Sequence, residues 1–298
     1  MVNLSNSLRD QAGTLRTMNA NQVTNTNNRN TVVYSVTSGK GGVGKTAVTT
    51  NLAYSLALCG KKVLILDADL GLANIDVAFG LTPKFNLNHF FAGTHTLDDI
   101  MVEGPLGIMI LPAGSGIQNF TRLDSSLKLQ LLQGLDALHD RFDYVLIDTE
   151  AGISENVTYF NTAAQEILVV TTPEPTAITD AYALMKLLST QFHVKRFNLI
   201  VNQIHSEDDA LEVFRKLTLV SNRYLDISID YLGSIPFDRN MVNGIRRQRV
   251  YSELQPASKI ASSFSRLAGR ISSGSGQNST KGNVQFFWKR LLQFGTQE

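Results

Sequence analysis

The amino-acid sequence predicts an α/β fold in which helices flank a mostly parallel sheet. Short apolar runs recur along the chain, and helix-compatible stretches separate them. The runs are continuous rather than alternating, which is typical of strands that are buried on both faces. A glycine-rich turn joins the first run to a helix-compatible stretch, AVTTNLAYSLALCG. The predicted strands are TVVYSVTS, KVLILDAD, LGIMILPA, DYVLIDTE, EILVVTTP, FNLIVNQ and ISIDYLGSIP.

Shifts in composition divide the chain into four parts. Residues 1–30 end in the Asn- and Thr-rich stretch TMNANQVTNTNNRN, which predicts a flexible N-terminal extension. Residues 31–271 hold all the predicted strands and are expected to form a single domain. Residues 272–283 are rich in Gly, Ser and Asn and predict a flexible linker, and residues 284–298 form a short aromatic tail.

Overall composition excludes several classes of protein. The 298 residues include 27 Lys+Arg, 26 Asp+Glu and one Cys. The formal net charge of +1 provides no global field for nucleic acid, so no specific nucleic-acid partner is expected. One cysteine supplies neither an intramolecular disulfide nor a cysteine-rich metal centre. No secretory signal and no apolar run of about 20 residues occurs, so the sequence predicts a cytoplasmic protein.

The tail VQFFWKRLLQF predicts an amphipathic helix. At about 100° per residue, most of its apolar side chains fall in one arc of about 160°, whereas Lys289 and Arg290 lie outside it. Such a helix beyond a flexible linker is expected to bind an anionic membrane surface reversibly; the alternative is a helix that docks on the protein's own core. The side chains assigned to the membrane are Phe287, Trp288, Leu291, Leu292 and Phe294.

The glycine-rich turn after the first strand predicts a phosphate-binding loop. Residues 39–46 read GKGGVGKT and match G-x-x-x-x-G-K-[ST] between a strand and a helix. In this motif the backbone N–H groups cradle a polyphosphate, Lys45 contacts the β- and γ-phosphates, and the Thr46 hydroxyl binds Mg²⁺. The residues assigned to nucleotide binding here are Gly39, Lys40, Gly41, Gly42, Val43, Gly44, Lys45, Thr46 and Ala47.

A second lysine in the loop makes the motif more specific. The segment KGGVGKT, which begins at Lys40, resembles the deviant Walker A ATPases, the group of MinD, ParA and the nitrogenase iron protein. This resemblance implies binding of ATP and Mg²⁺ and an ATP-dependent homodimer in which Lys40 reaches the partner's phosphates. A cation there would neutralise charge that develops on the transferring phosphoryl group, so Lys40 and Lys45 are both predicted to be catalytic.

Carboxylates at the ends of two later strands complete the resemblance. Within DADLGLANID, it implies that Asp69 orients or deprotonates the attacking water and that Asp67 supports Mg²⁺ through the hydration shell of the ion. Asp148, at the end of YVLID, is similar to the Walker B carboxylate and joins Thr46 and Asp67 in the predicted Mg²⁺ site. For Asp69 and Asp76 a helix cap remains the alternative, since Asp favours such positions.

One segment departs from the family pattern. Relatives usually read DTGAG where this chain has DTEAG, so Glu150 replaces a glycine. A carboxylate near the γ-phosphate would repel the nucleotide unless Glu150 points away or meets a cation, which predicts slow hydrolysis. Gly152 is retained where the backbone is expected to approach phosphate. Asn202 matches the position that bonds the adenine edge, although an Asn at a strand end is often only a turn residue.

Two branches of this group are disfavoured. The nitrogenase branch needs two cysteines per subunit to bridge a cluster, whereas this chain has only Cys59. The basic run from Arg246 to Arg249 favours a DNA-binding partition protein. However, the charge elsewhere is balanced, so the preferred interpretation is a solvated face of a helix.

The N-terminal segment DQAGTLR resembles the DQAxxLR element of the FlhG family, also called FleN or YlxH, whose MinD-like ATPases govern flagellar number and placement. The resemblance extends through SGKGGVGKT, LDADLGLANID, TTPEPTAITDAYALMK and the tail. It implies that the N-terminal element docks on the FlhF GTPase and stimulates it. The residues assigned to this contact are Asp10, Gln11, Leu15 and Arg16.

Further partners implied by the resemblance are a flagellar transcription activator and a switch-complex protein. It also implies reversible attachment to the inner face of the cell membrane. Two alternatives stay open: a MinD-type regulator of the division site, and a nucleotide-gated adaptor with negligible hydrolysis.

Overall fold

Eight strands form one sheet in the computed structural model, which describes residues 31–69, 74–112, 130, 134, 138 and 141–274. The sheet order is β3-β4-β2-β5-β1-β6-β7-β8, and every pairing is parallel except that of β3 with β4. The predicted α/β class with a mostly parallel sheet is therefore confirmed. The strands are β1 (Val32–Ser38), β2 (Val63–Ala68), β3 (Val102–Glu103), β4 (Met109–Leu111), β5 (Tyr144–Ala151), β6 (Glu166–Thr171), β7 (Arg196–Ile204) and β8 (Ser228–Pro236).

Helices cover both faces of this sheet. A short 3₁₀ helix, Pro105–Gly107, precedes β4. The α-helices of the described residues are α1 (Lys45–Leu58), α2 (Ile75–Phe79), α3 (Leu87–Phe91), α4 (Leu97–Ile100), α5 (Glu155–Ala163), α6 (Pro175–Phe192), α7 (Glu207–Tyr224), α8 (Met241–Arg246), α9 (Tyr251–Leu254) and α10 (Lys259–Gly274).

The continuous apolar strands are buried on both sides, as predicted. Along β5, Val145 and Ile147 join a core cluster with α3, α4 and α5, whereas Leu146 joins a second cluster with α1 and α10. Successive side chains of a strand point to opposite faces, so each face of β5 contacts a different layer of helices. A third cluster lies between β6, β7 and the helices α6 and α7.

The last described helix, α10, packs on α1, the helix that follows the glycine-rich loop. Phe264 and Leu267 of α10 lie in the same core cluster as Leu52 and Leu56 of α1, and Phe264 is fully buried. The helix continues to Gly274 and so includes the first three residues of the predicted linker. Burial of Ile271 keeps this last turn packed on the core.

Two local features differ from the sequence-based expectations. Strand β3 was not predicted, because two residues are too short to show a hydrophobic period. The expected helix over the basic run is also wrong, because α8 ends at Arg246 and Gln248 has a positive φ of 52°. The run turns there against Gly80, where an added Cβ would lie 2.9 Å from the Gln248 carbonyl oxygen.

A search of the described residues finds no helix that combines the length and apolarity required to cross a membrane.

The contact between α10 and α1 leads to a test of the fold. We expect Phe264→Ala to lower the free energy of unfolding by about 3–5 kcal/mol, because it removes a fully buried ring and leaves a cavity. Leu219→Ala is the control, since Leu219 is 74% exposed and the change should cost less than about 0.5 kcal/mol. Urea unfolding followed by circular dichroism measures both, and equal losses would contradict the assignment of α10 to the core.

Candidate nucleotide-binding site

The phosphate-binding loop lies between β1 and α1 in a conformation that requires glycine. Gly42 and Gly44 have φ angles of 80° and 90°, which side-chain-bearing residues rarely adopt. At Gly39 the constraint is space, because an added Cβ would lie 2.1 Å from the backbone oxygen of Asp180 on α6. The loop is therefore packed directly on the backbone of a neighbouring helix.

Asn202, near the end of β7, holds this loop through a side-chain hydrogen bond. Its Nδ2 donates a hydrogen bond to the Val43 carbonyl oxygen at 2.8 Å, and its Oδ1 accepts one from the Gln203 backbone N–H at 2.9 Å. The side chain is buried, so these bonds fix its orientation. Asn202 is thus part of the loop's scaffold, and its contact with an adenine edge stays a prediction.

A buried carboxylate joins β5 to the first turn of α1. Asp148 accepts hydrogen bonds from the Thr46 hydroxyl at 2.7 Å and from the Thr49 hydroxyl at 2.9 Å. Burial raises the pKa of Asp148 to about 6, although both hydroxyl groups and the nearby Lys45 oppose the shift. The Thr46 hydroxyl and Asp148 therefore stand together, as the predicted Mg²⁺ site requires.

The oxygen donors at this point suit Mg²⁺. Mg²⁺ prefers oxygen ligands and keeps several of its waters, so one hydroxyl with a carboxylate behind it is sufficient. Among the described residues, no group of three His, Cys, Asp or Glu side chains is arranged to hold a metal directly. A hydrated Mg²⁺ ion at the Thr46 hydroxyl, with Asp148 behind that hydroxyl, would fit these oxygen donors.

Asp67, on the strand beside Asp148, holds the start of α2. Its carboxylate accepts hydrogen bonds from the backbone N–H groups of Asp69, Asn74 and Ile75 at 3.1–3.2 Å. The pKa of Asp67 is raised to about 7, mainly by burial and to a lesser extent by the charge of Asp148. Sequence reasoning missed this capping role, and the support of Mg²⁺ by Asp67 stays a prediction.

Neither Asp69 nor Asp76 is the N-cap of a helix, so the helix-cap alternative is wrong for both residues. The N-cap of α2 is Asn74, so Asp69 lies well before the helix. Asp76 lies inside the first turn, where its Oδ1 accepts a hydrogen bond from the Val77 backbone N–H. Asp69 itself is half-buried at the end of β2, and residues 70–73 of the same motif lie outside the described residues.

Lys45 is a buried cation among carboxylates. Burial lowers its pKa, while the charges of Asp148, Asp69 and Glu150 act in the opposite direction. The predicted catalytic residues Lys45 and Asp69 are therefore brought into one site. A buried ammonium group beside a glycine-rich loop favours an anionic ligand at this position.

The second loop lysine, Lys40, is paired within its own subunit. Its Nζ bonds to Glu174 Oε1 at 2.6 Å and to Thr176 Oγ1 at 2.7 Å. The hydrogen bond from Lys40 is the main cause of a lowered pKa at Glu174. Sequence reasoning missed both partners, although they lie in the TTPEPT segment that carried part of the family resemblance. A contact of Lys40 with a second subunit would have to replace this pair.

The segment after β5 approaches the loop through its backbone. Gly152 has a φ of 96°, and its N–H donates to the Ser38 carbonyl oxygen at 2.9 Å. The side chain of Glu150 accepts a hydrogen bond from the hydroxyl of Ser154, the N-cap residue of α5. Glu150 therefore has a polar partner at the start of α5, an arrangement that sequence reasoning had left open.

A cavity of about 230 Å³ begins beside the phosphate-binding loop. Thr46, Ala47 and Thr50 of α1 form one wall, and Val77 of α2 and Ile245 of α8 lie opposite. The lining is mostly apolar and adjoins the residue that follows the phosphate motif. Sequence reasoning did not predict this cavity, because its walls come from segments far apart in the chain.

The remaining predicted site residues lie outside the described residues. They are Asp10, Gln11, Leu15, Arg16, Phe287, Trp288, Leu291, Leu292 and Phe294.

Comparisons with known proteins agree with this geometry. The ParA family model, described as NUBPL iron-transfer P-loop NTPase, matches residues 29–272. The chain is 43% identical over 261 residues to the antiactivator FleN of Pseudomonas aeruginosa, covering 88% of this chain and 93% of FleN. It is 33% identical over 273 residues to the flagellum site-determining protein YlxH of Helicobacter pylori, covering 90% of this chain and 92% of YlxH.

A solved structure shares the fold. The septum site-determining protein MinD of Pyrococcus horikoshii, complexed with Mg-ADP, superposes with a TM-score of 0.66 at 28% sequence identity. The match covers 83% of this chain and 98% of that protein. The chain is therefore similar to a protein that binds a magnesium nucleotide.

The raised pKa values of the two buried carboxylates predict a pH dependence of stability. In the folded protein Asp67 and Asp148 have pKa values above the 3.8 that is ordinary for an aspartate, as in the unfolded chain. Ionisation of these carboxyl groups therefore favours the unfolded chain. Without nucleotide and Mg²⁺, we expect the free energy of unfolding to fall between pH 4 and pH 7, by on the order of 6 kcal/mol. Urea unfolding across this range measures the slope.

Asp67→Asn is the matched variant for this measurement. It removes one of the two titrating groups, so the slope should be shallower even where the variant is less stable at every pH. The exposed carboxylates with lowered pKa values, such as Asp209 and Asp226, act at lower pH and with opposite sign. A stability that rises between pH 5 and pH 7 would contradict the assignment.

Proposed function

Because the chain belongs to the ParA family of P-loop NTPases, we propose that it is a MinD-like ATPase that regulates the number and placement of flagella. The observation that carries this proposal is the 43% identity to FleN over 88% of the chain. The second similar relative, YlxH, is named for determining the flagellar site. Both relatives match across nearly their whole length, so the likeness is not confined to the phosphate-binding loop.

The proposed reaction is hydrolysis of ATP to ADP and phosphate. The loop N–H groups and Lys45 hold the phosphates, and the Thr46 hydroxyl, backed by Asp148 at 2.7 Å, holds Mg²⁺. A Mg²⁺ ion held there would supply positive charge that neutralises the phosphates. Asp69 orients the attacking water or accepts its proton.

Dimerisation is the proposed control of this reaction. Lys40 is bonded to Glu174 and Thr176 of its own subunit, and the pair is partly exposed. An exposed ion pair contributes only about 0–1 kcal/mol, so a second subunit that brings phosphates near Lys40 can displace it. ATP binding then favours the dimer, and hydrolysis returns Lys40 to Glu174.

The terminal segments carry the proposed outputs. The tail from Phe287 to Phe294 attaches the dimer to an anionic membrane at the cytoplasmic face, and pairing two tails raises the effective concentration at the surface. The DQAGTLR element stimulates the FlhF GTPase, with Gln11 acting on the attacking water there. The description of FleN as an antiactivator supports a flagellar transcription activator as a further partner.

Two alternatives have support of their own. The likeness to MinD of Pyrococcus horikoshii favours a regulator of the division site. The carboxylate of Glu150 favours an adaptor that binds ATP and hydrolyses it negligibly. Phosphate release with and without liposomes tests the adaptor, and the N-terminal element tests the division-site regulator.

The dimer switch predicts opposite effects of two substitutions. Lys40→Ala should retain ATP binding but reduce dimerisation and hydrolysis, because Lys40 acts on the partner's phosphates. Asp69→Ala should accumulate an ATP dimer, because it weakens water activation and leaves the phosphate cradle intact. Light scattering with ATP measures the mass. Lys186→Ala, an exposed lysine of α6, is the control. An Asp69→Ala variant that stays monomeric at saturating ATP would refute the role of Asp69.

The N-terminal element predicts an effect that a MinD-type regulator lacks. A peptide of residues 1–21 should raise FlhF GTPase activity without the ATPase domain. Gln11→Ala should remove most of this stimulation with little loss of binding, because a water-orienting group acts chiefly in the transition state. Leu15→Glu should instead abolish binding by placing a charge on the docking face. Absence of stimulation by the wild-type peptide would favour the division-site alternative.

A further inference from the structure

Four carboxylates lie at the ends of two neighbouring strands. Asp67 of β2 pairs in register with Asp148 of β5. Asp69 directly follows β2, and Glu150 is the last residue but one of β5. The register of β5 with β1 shifts between Asp148 and Ala151, so Glu150 lies at an irregularity of the strand. Asp148 is buried, whereas Glu150 is half-buried.

Glu150 and the end of β5 lie close to the phosphate-binding loop. Glu150 is one of the three carboxylates whose charge acts on Lys45, the residue that contacts the β- and γ-phosphates in this motif. The next residue, Ala151, has its Cβ 3.9 Å from where a Cβ on Gly41 would lie. The end of β5 therefore lies beside the loop that is predicted to bind the phosphates.

Ser154 holds the Glu150 side chain at the start of α5. Its hydroxyl donates to the Glu150 carboxylate and accepts a hydrogen bond from the Val157 backbone N–H at 3.3 Å. The positive end of the α5 dipole further stabilises a negative charge at this position. Ser154 is exposed, so the bond draws Glu150 toward the protein surface and away from the buried Lys45.

We propose that Glu150 makes this site discriminate against the γ-phosphate, and that Ser154 sets the strength of the discrimination by restraining the carboxylate. The proposal rests on nucleotide binding at the proposed site. ATP carries a charged phosphoryl group that ADP lacks, and the proposal places this group toward the end of β5, which lies beside Gly41 of the loop. Because Coulomb repulsion falls with distance, the Glu150 charge weakens ATP binding more than ADP binding.

The consequence is a protein that responds to the ratio of ATP to ADP. A site whose affinity for ATP is lowered relative to that for ADP is filled by ATP only at a higher ratio of ATP to ADP. Formation of the ATP-dependent dimer would then follow the energy state of the cell rather than the presence of ATP alone. The charge of a single side chain sets the ratio at which this change occurs.

The test compares the affinities of two nucleotides in four variants of the full chain. Titration calorimetry in Mg²⁺ measures AMP-PNP and ADP binding to Glu150→Gln, Ser154→Ala, the double variant and the control Glu155→Gln. Glu150→Gln keeps the shape of the side chain and removes its charge. We expect AMP-PNP to bind about tenfold more tightly, a change of about 1.4 kcal/mol, while ADP affinity changes less than about twofold.

The Ser154 variant tests the restraint. Ser154→Ala should weaken AMP-PNP binding about threefold by freeing the Glu150 carboxylate, and should have no effect in the Glu150→Gln background. Glu155→Gln removes a charge from the same turn of α5 and leaves Glu150 in place, so both affinities should stay at wild-type values. Thermal unfolding confirms that each variant is folded before its affinities are compared.

Three outcomes would overturn the proposal. Equal changes in AMP-PNP and ADP affinity in Glu150→Gln would show that Glu150 does not sense the γ-phosphate. Weaker AMP-PNP binding in that variant would show that Glu150 supports Mg²⁺ instead. A wild-type chain that binds neither nucleotide would overturn the proposed ATPase as well, whereas wild-type binding with unaltered ratios overturns only the role of Glu150.

Discussion

The buried carboxylate of Asp148 is the contact on which the geometry of the site depends. Its two hydrogen bonds, to Thr46 and Thr49, join the central strand β5 to the first turn of α1. The loop before α1 is left-handed at Gly44 and is supported by Asn202 at Val43. Because the helix start and the loop are both fixed, the backbone N–H groups need little rearrangement when an anion binds. A buried charge is tolerated there only because hydroxyl groups and a lysine surround it.

The same burial leaves the site with an electrostatic imbalance. Asp67 and Asp148 are buried side by side with raised pKa values, and Asp69 and Glu150 follow on the same strands. Among the described residues, the buried Lys45 balances part of this charge in the interior. A hydrated divalent cation would compensate the remainder and return the pKa values of the carboxylates toward their ordinary range. The cost of burying these acids is thus offset when a magnesium nucleotide binds, which ties folding stability to ligand.

Much of the fold and the core of the site could be predicted from sequence, since both rest on local patterns. Continuous apolar runs predicted the strands, and a short motif predicted the loop and its Mg²⁺ threonine. The contacts that were missed join distant segments: Lys40 to Glu174, Asn202 to Val43, and the apolar cavity beside Ala47. The capping of α2 by Asp67 was missed for a different reason. A motif assigns one role to a residue, whereas a buried carboxylate also accepts whichever backbone donors lie near it.

The pairing of Lys40 within its own subunit bears on where control of the proposed dimer resides. Lys40 and Glu174 are both partly exposed, so their ion pair contributes about 0–1 kcal/mol at most. A dimer replaces two such pairs, so together they change its equilibrium by less than about thirtyfold, which is too little to separate two functional states. In the proposed dimer the larger difference between the states comes from the ligand, whose phosphates would provide the charge that Lys40 meets across the interface. The expected effect of Glu150 on ATP affinity, about tenfold, is of similar size, so Glu150 and the residues that hold Lys40 in the monomer both adjust a switch that the ligand drives.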